Sequence, residues 1–219
     1  MVNQIQMSLE YAERLDHYLE QCKQSEINRL ARRKCSYTVW NDQSLAQKAT
    51  LFLRNLTDLK EIPSVIILNP SADGGMPHTR ASSIICLPAY YPETKLEETL
   101  KHELVHINQK QNPSAWIDRA EREGWVYIPQ SRIPEIWRER CRLNPDTISA
   151  RFFAWKGRYI PLPLFIREDK PELREIQVRW YDLIEETVNS HTPTSFTQKY
   201  GTLGASSIEH PYELWAYHP

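Results

Sequence analysis

The sequence predicts an α+β fold in which a small mixed sheet packs on one long helix carrying the chemistry, with additional helices around it. Three observations predict it. Two short apolar, β-branched runs, residues 64–68 and 82–87, are each closed by a proline signal. The segment that follows, residues 93–110, opens with Pro92 and an acidic first turn and stops before Asn112-Pro113, as a helix does. Elsewhere, stretches with apolar residues three and four apart alternate with turn signals.

Residues 1–60 read as helical. Leu9, Ala12, Leu15, Leu19 and Cys22 recur at helical spacing with charges between them, and Leu45, Ala49, Phe52, Leu53 and Leu56 repeat the pattern. Residues 35–40 are β-branched and aromatic, so a short strand or turn separates the two stretches. Pro63 breaks the periodicity. Residues 64–68 form the first strand, 69–80 a loop holding two glycines, and 82–87 the second strand. After the 93–110 helix, residues 114–127 read as another, carrying Trp116, Ala120 and Trp125. Residues 151–155 and 158–164 flank Lys156-Gly157 as a β-hairpin, and Pro161 and Pro163 place its second arm at an edge or out of the sheet. Leu173, Ile176, Trp180, Leu183 and Ile184 place residues 172–188 on a long amphipathic helix. A polar loop over 190–207 precedes a last short helix from Ile208. The whole reads as one domain over 1–219: a helical N-terminal part to residue 60, then a core from 61 to 219.

Apolar residues make up 41% and charged residues 25%, an ordinary balance for a folded soluble chain. A net charge of −1 gives no overall attraction to nucleic acid or an anionic membrane. Basic clusters at 29–34 and 138–142 are interleaved with apolar residues and read as solvated helix faces; the second would be the only support for a DNA-linked activity. Cys22, Cys35, Cys86 and Cys141 contain no Cys-x-x-Cys pair and read as reduced thiols of a cytoplasmic protein. Residues 1–20 show no secretion signal, and the longest apolar runs are too short to span a bilayer. Neither a membrane nor nucleic acid is an expected partner.

The chemistry lies in His102-Glu103-Leu104-Val105-His106. A four-residue spacing puts both imidazoles on one helix face, one turn apart. Two neutral imidazoles so placed can bind one zinc ion at roughly 2.0–2.1 Å each. Glu103 emerges beside such a metal. It can act as general base toward a water whose pKa the metal lowers from about 15.7 to near 7, and then hand the proton to a leaving amine. Leu100, Leu104, Val105 and Ile107 suit a helix buried beneath a cleft, with Lys101 and Gln109 on its outer face.

A catalytic zinc site needs a third protein ligand and an open position. No third histidine follows His106 closely, so a distant carboxylate is required. Glu209 and Glu213 are four apart within 208–217; one would bind zinc while the other orients a histidine. Tyr217, His210, Tyr212 and Tyr181 are candidate oxyanion stabilisers, although aromatic residues are common core fillers and each taken singly reads first as packing. His78, His17, His191 and His218 read as surface imidazoles.

The His-Glu-Leu-Val-His string with a glutamate on a later helix resembles the gluzincin branch of the zincin metallopeptidases. Pro211-Tyr212-Glu213-Leu214-Trp215-Ala216 is similar to a pattern in small bacterial and phage zincins. The resemblance covers residues 99–108 and 208–217. Asn108 departs from it, standing where the longer motif has an apolar residue. It implies a zincin-like fold, zinc held by His102, His106 and Glu213, Glu103 as general base, and a peptide or protein substrate cut at its amide bonds. The thermolysin-type arrangement would instead put Glu209 on the metal with Glu213 as its partner. The resemblance also implies that strand 82–87 is the sheet edge above the cleft, open to pairing by an extended peptide; its composition equally fits an interior strand. The alternative reading is a zincin-like binding or regulatory module, phage- or mobile-element-associated, with weak or no catalysis.

Overall fold

The computed structural model of the chain describes residues 2–56, 61–81 and 83–218. Of the helical expectation over 1–60, Met1 and residues 57–60 lie outside the described residues, as does Ser82 at the start of the second expected strand. The N-terminal part forms four helices, α1 (Val2–Asp16), α2 (Tyr18–Gln24), α3 (Glu26–Ala31) and α4 (Gln43–Leu56). Strands β1 (Ser64–Leu68), β2 (His78–Arg80) and β3 (Ile84–Pro88) lead into the long helix α5 (Glu93–Gln111) and then α6 (Pro113–Glu123). The remainder runs β4 (Trp125–Tyr127), α7 (Glu135–Arg140), β5 (Phe153–Trp155), β6 (Tyr159–Phe165), β7 (Ile176–Asp182) and β8 (Thr187–Asn189). Three short helices follow: α8 (Thr194–Tyr200), α9 (Ala205–Ile208) and α10 (Pro211–Tyr217).

The first sheet has the order β1-β3-β2, with β1 and β3 parallel and β2 antiparallel to β3. Its β1 and β3 strands are unbroken apolar runs because both faces are covered. Ile67, Ile85 and Leu87 pack against Leu45, Ala49 and Leu53 of α4 and Leu96, Leu100 and Ile107 of α5. Ile66, Leu68, Ile84 and Cys86 pack on the other face against Leu9 and Ala12 of α1. β3 is therefore the central strand, and the edge position expected of it from the resemblance is corrected: β1 and β2 are the outer strands, and β1 is bridged on its outer side at Leu68 by Val39. The residues of β2 fall inside the stretch read as a loop, where the nearby Gly74-Gly75 pair masks a three-residue strand.

The second sheet is an antiparallel meander in the order β4-β5-β6-β7-β8. Trp125, Phe153, Trp155 and Trp180 form one core with Phe196 of α8 and Tyr212, Leu214 and Trp215 of α10. Ala154, Ile160, Leu162 and Tyr181 form the other with Ile133 and Cys141. The long helix expected over 172–188 is absent. Residues 176–182 instead pair with β6 from Tyr159↔Asp182 through to Phe165↔Ile176. The apolar residues counted at helical spacing overlap an alternation, Ile176, Val178, Trp180, in a β-branched and aromatic setting, and partner strands select period two. Asp182 ends the strand by accepting the Ile184 N–H at 2.9 Å.

The expected helix over 114–127 stops at Gly124, whose φ of 95° turns the chain so that Trp125 begins β4. The expected polar loop over 190–207 contains α8 and α9, and buries Phe196. Lys156 and Gly157 both adopt positive φ at the β5–β6 turn. The edge position expected of the second arm is corrected: β6 lies between β5 and β7 and pairs with β7 along its length. Among the described residues β5 pairs with β6 only at Trp155↔Tyr159, so Pro161 and Pro163 sit where no ladder N–H is needed toward β5. None of the four cysteines is disulfide-bonded. Among the described residues no helix is long and apolar enough to cross a membrane.

Candidate metal centre

α5 packs on the first sheet, α10 packs on the second, and the candidate ligands lie where α10 touches α5. His102 and His106 project from one face of α5 with their Nε2 atoms 3.0 Å apart. Glu213 comes from the first turn of α10; its Oε2 lies 3.4 Å from His102 Nε2 and 3.5 Å from His106 Nε2. All three ligand atoms fall within 4.8 Å of one another. A tetrahedral zinc ion with ligands at roughly 2.0–2.1 Å holds those ligands about 3.3 Å apart, so the separations fit. The donor set, two imidazole nitrogens and a carboxylate oxygen, also suits zinc.

Local sequence explains why α10 presents Glu213. His210 caps the helix: its Nδ1 accepts the Tyr212 N–H at 3.0 Å, and its Nε2–H donates to the Ala150 carbonyl at 2.7 Å. Burial pushes the His210 imidazole down to about 4, so it is neutral. Pro211 occupies the first turn, where its missing N–H is no loss. Tyr212, Leu214 and Trp215 enter the aromatic core, which turns Glu213, Ala216 and Tyr217 toward the cleft.

Gln109 sets the tautomer of His106. Its Nε2 donates to the Tyr212 carbonyl at 3.0 Å, which leaves Oε1 to accept the His106 Nδ1–H at 2.7 Å. Neutral His106 therefore carries its lone pair on Nε2, the atom facing Glu213. The sequence reading put Gln109 on the outer face of the helix. It is buried, because α10 covers that face.

The centre is built for positive charge. Burial opposes charge on His106, but the Glu213 and Asp146 carboxylates outweigh it and lift the imidazole to about 10. Burial likewise opposes charge on His102, and the hydrogen bond to Glu213 with the charge of Glu103 raises it. Burial would raise Glu213, but His106 and His102 hold it well below the usual carboxylate range. Glu103, next to His102, is buried, and its Oε2 has no hydrogen-bond partner among the described residues. Burial and the neighbouring Asp146 charge push its carboxyl up to about 8. An orphaned, proton-seeking oxygen beside three converging ligand atoms is what a general base needs.

Glu209 takes another role. Both its oxygens accept from Arg142 Nη2 at 2.7 Å, and Oε1 also accepts from Asn144 Nδ2 at 3.1 Å. Tyr181 and Tyr212 are buried in the second sheet's cores. Of the four oxyanion candidates, Tyr217 alone combines partial exposure with a place in the cleft: its ring lies 4.5 Å from that of His102. Burial and the Glu213 charge push its phenol up to about 12, so it keeps its proton for donation. His78 is a correction: it is buried in β2, with Nε2 2.7 Å from the Tyr37 hydroxyl. The basic clusters are corrected at Arg32, ion-paired with Asp73 at 3.1 Å, and at Arg142, which serves Glu209.

Sequence reasoning missed Gln109, Arg142, Asn144 and Asp146. Gln109 had a signal, standing three residues past His106 on the same helix face. The others sit on an irregular segment, where only the string Asn144-Pro145-Asp146 hints at a shaped turn. The cleft over the centre has a volume of about 570 Å³ and is lined by Tyr91, Glu98, Asn144, Pro145, Asp146 and Tyr217 among others. The outward-facing backbone of β2 lies behind this lining. The Thr79 N–H donates to Asp146 Oδ1 at 2.6 Å, and the Thr79 carbonyl accepts from Lys110 Nζ at 2.8 Å. Comparison with protein families, with curated proteins and with solved structures finds nothing that matches this chain.

Proposed function

We propose that the protein is a zinc-dependent metallopeptidase with a zincin-like fold, in which His102, His106 and Glu213 hold the metal and Glu103 is the general base. One observation carries the reading: two residues of α5 and one from α10, more than a hundred positions away, converge at separations that match a zinc tetrahedron. The orphaned Glu103 Oε2 supports it, since a general base must keep an acceptor free for the attacking water. When bound, zinc supplies a Lewis acid that makes water acidic near neutral pH and polarises the scissile carbonyl.

The residues divide the remaining work. Glu103 takes a proton from the attacking water and returns it to the leaving amine. Gln109 holds His106 with Nε2 toward Glu213, and Tyr217, whose ring lies beside that of His102, is the hydroxyl assigned to the developing oxyanion. Because Asp146 and Lys110 already occupy the β2 edge, a peptide is held by side chains lining the cleft and not by strand addition to β2. The four unpaired thiols suit a cytoplasmic setting.

The test is metal content with activity. Purified protein dialysed against zinc should retain one ion per chain. Glu103→Gln should keep that zinc while hydrolysis of labelled casein falls by at least about 100-fold. No retained zinc, or hydrolysis unchanged in Glu103→Gln, overturns the proposal. Retained zinc with no cleavage by the wild-type protein favours the binding-module alternative.

A further inference from the structure

We propose that Asn144 is the positioning residue of the metal centre, its side-chain amide holding Glu213 so that Oε2 faces the two imidazoles. The inference rests on the zinc reading above and adds a residue outside the helices that carry the ligands.

The amide has one orientation available. Asn144 Oδ1 accepts the Asp146 N–H at 2.9 Å, so the NH2 end must point the other way. There Nδ2 donates to Glu213 Oε1 at 2.7 Å and to Glu209 Oε1 at 3.1 Å. With Oε1 engaged, the remaining oxygen of Glu213 is the one turned to His102 and His106. The hydrogen bond also chooses one rotamer about a terminal torsion that is otherwise broad.

The support behind Asn144 is rigid on both sides. Toward the second sheet, Arg142 grips Glu209 through both carboxylate oxygens, and the Arg142 N–H donates to the Pro163 carbonyl at 2.7 Å. Toward the first sheet, Asp146 Oδ1 accepts from the Thr79 N–H and hydroxyl, each at 2.6 Å, and the Pro145 carbonyl accepts from Lys110 Nζ at 3.0 Å. Lys110 lies one turn beyond His106 on α5, so the helix that carries the histidines also fixes the segment that orients the third ligand. Chemistry requires an amide here. Two carboxylates share one side-chain donor group, and an oxygen in its place would set like charges against each other.

Zinc affinity tests this. The dissociation constant is read by competition with a chromophoric chelator, and ligand geometry by the visible spectrum of the cobalt(II)-loaded protein. Partners that orient a ligand are typically worth 10- to 100-fold in metal affinity, so Asn144→Ala should weaken zinc by about that factor and alter the cobalt spectrum. Asn144→Asp should weaken it further, although it keeps the size and the acceptor for Asp146. Asn144→Ser, which retains one hydroxyl donor, should fall between wild type and Asn144→Ala and serves where the alanine variant does not fold. Wild-type zinc affinity and cobalt spectrum in folded variants would overturn the positioning role and leave the zinc reading standing. A wild-type protein that binds neither metal overturns both. Zinc bound by wild type without any hydrolysis removes the peptidase assignment alone.

Discussion

Two buried polar clusters flank β2, and they are opposites. Around Arg80, one guanidinium meets Asp16 at 2.7 and 2.8 Å, Glu13 at 2.6 Å and the Tyr37 hydroxyl at 3.0 Å. The rings of Tyr18 and Tyr37 lie beside it, with centroids 5.2 and 5.4 Å from the guanidinium carbon. Every nitrogen of Arg80 has an acceptor, and the cation is supplied by the chain. At the His102–His106–Glu213 centre, two imidazole nitrogens and a carboxylate oxygen face one another, with a second carboxylate, that of Glu103, alongside. Both clusters join residues distant in sequence. The difference lies in what neutralises the carboxylates: Arg80 is a permanent cation of the chain, whereas Glu213 faces two titratable imidazoles, the donor set on which the zinc proposal rests.

The largest expected effect lies in the Arg80 cluster. Arg80→Leu leaves Asp16 and Glu13 without their cation and should destabilise the protein by about 3–5 kcal/mol, read by urea unfolding. The zinc affinity of the folded protein should be unchanged. A loss of zinc binding of similar rank would dissolve the distinction between the clusters.

Next in size is the stabilisation that zinc confers. At about a thousandfold excess over its dissociation constant, zinc should raise the unfolding free energy by about 4 kcal/mol. Glu213→Gln should lose most of that increment. An undiminished increment would show zinc bound elsewhere.

The smallest effect concerns acid. Burial would raise the Asp16 carboxyl, but its hydrogen bonds to Arg80 and that group's charge outweigh it and hold the folded value below the ordinary 3.8. A depressed folded value contributes stability that is present above 3.8 and lost as the pH falls through the folded value. Unfolding free energy measured across that window should drop in wild type and drop less steeply in Arg80→Leu. Parallel slopes would remove Asp16 from the acid response.

How much could be read in advance differed along the chain. Helix α5, with His102, Glu103 and His106 on it, was legible because helical spacing is local and the capping signals are near in sequence. Strands β1 and β3 were legible as apolar runs, but the order that makes β3 central was not. Strand β7 was misread because Ile176 and Trp180 satisfy both a helical and an alternating count, and only pairing with β6 decides between them. The candidate third ligand was narrowed to Glu209 and Glu213, since both belong to one short stretch; what separates them is Arg142, which claims Glu209, while Glu213 faces both histidines.

The sequence by itself determined the class of fold, the helix bearing His102, Glu103 and His106, and the stretch that holds both candidate third ligands. These follow from residue types at short, regular spacing, where backbone geometry dictates which side chains share a face. Tertiary structure alone decided that Glu213 meets the histidines, that Gln109 and Asn144 orient the centre, and that the β2 edge is closed. Each depends on contacts between residues more than 60 positions apart, which no local periodicity encodes: Gln109 with Tyr212, Asn144 with Glu213, and Thr79 with Asp146.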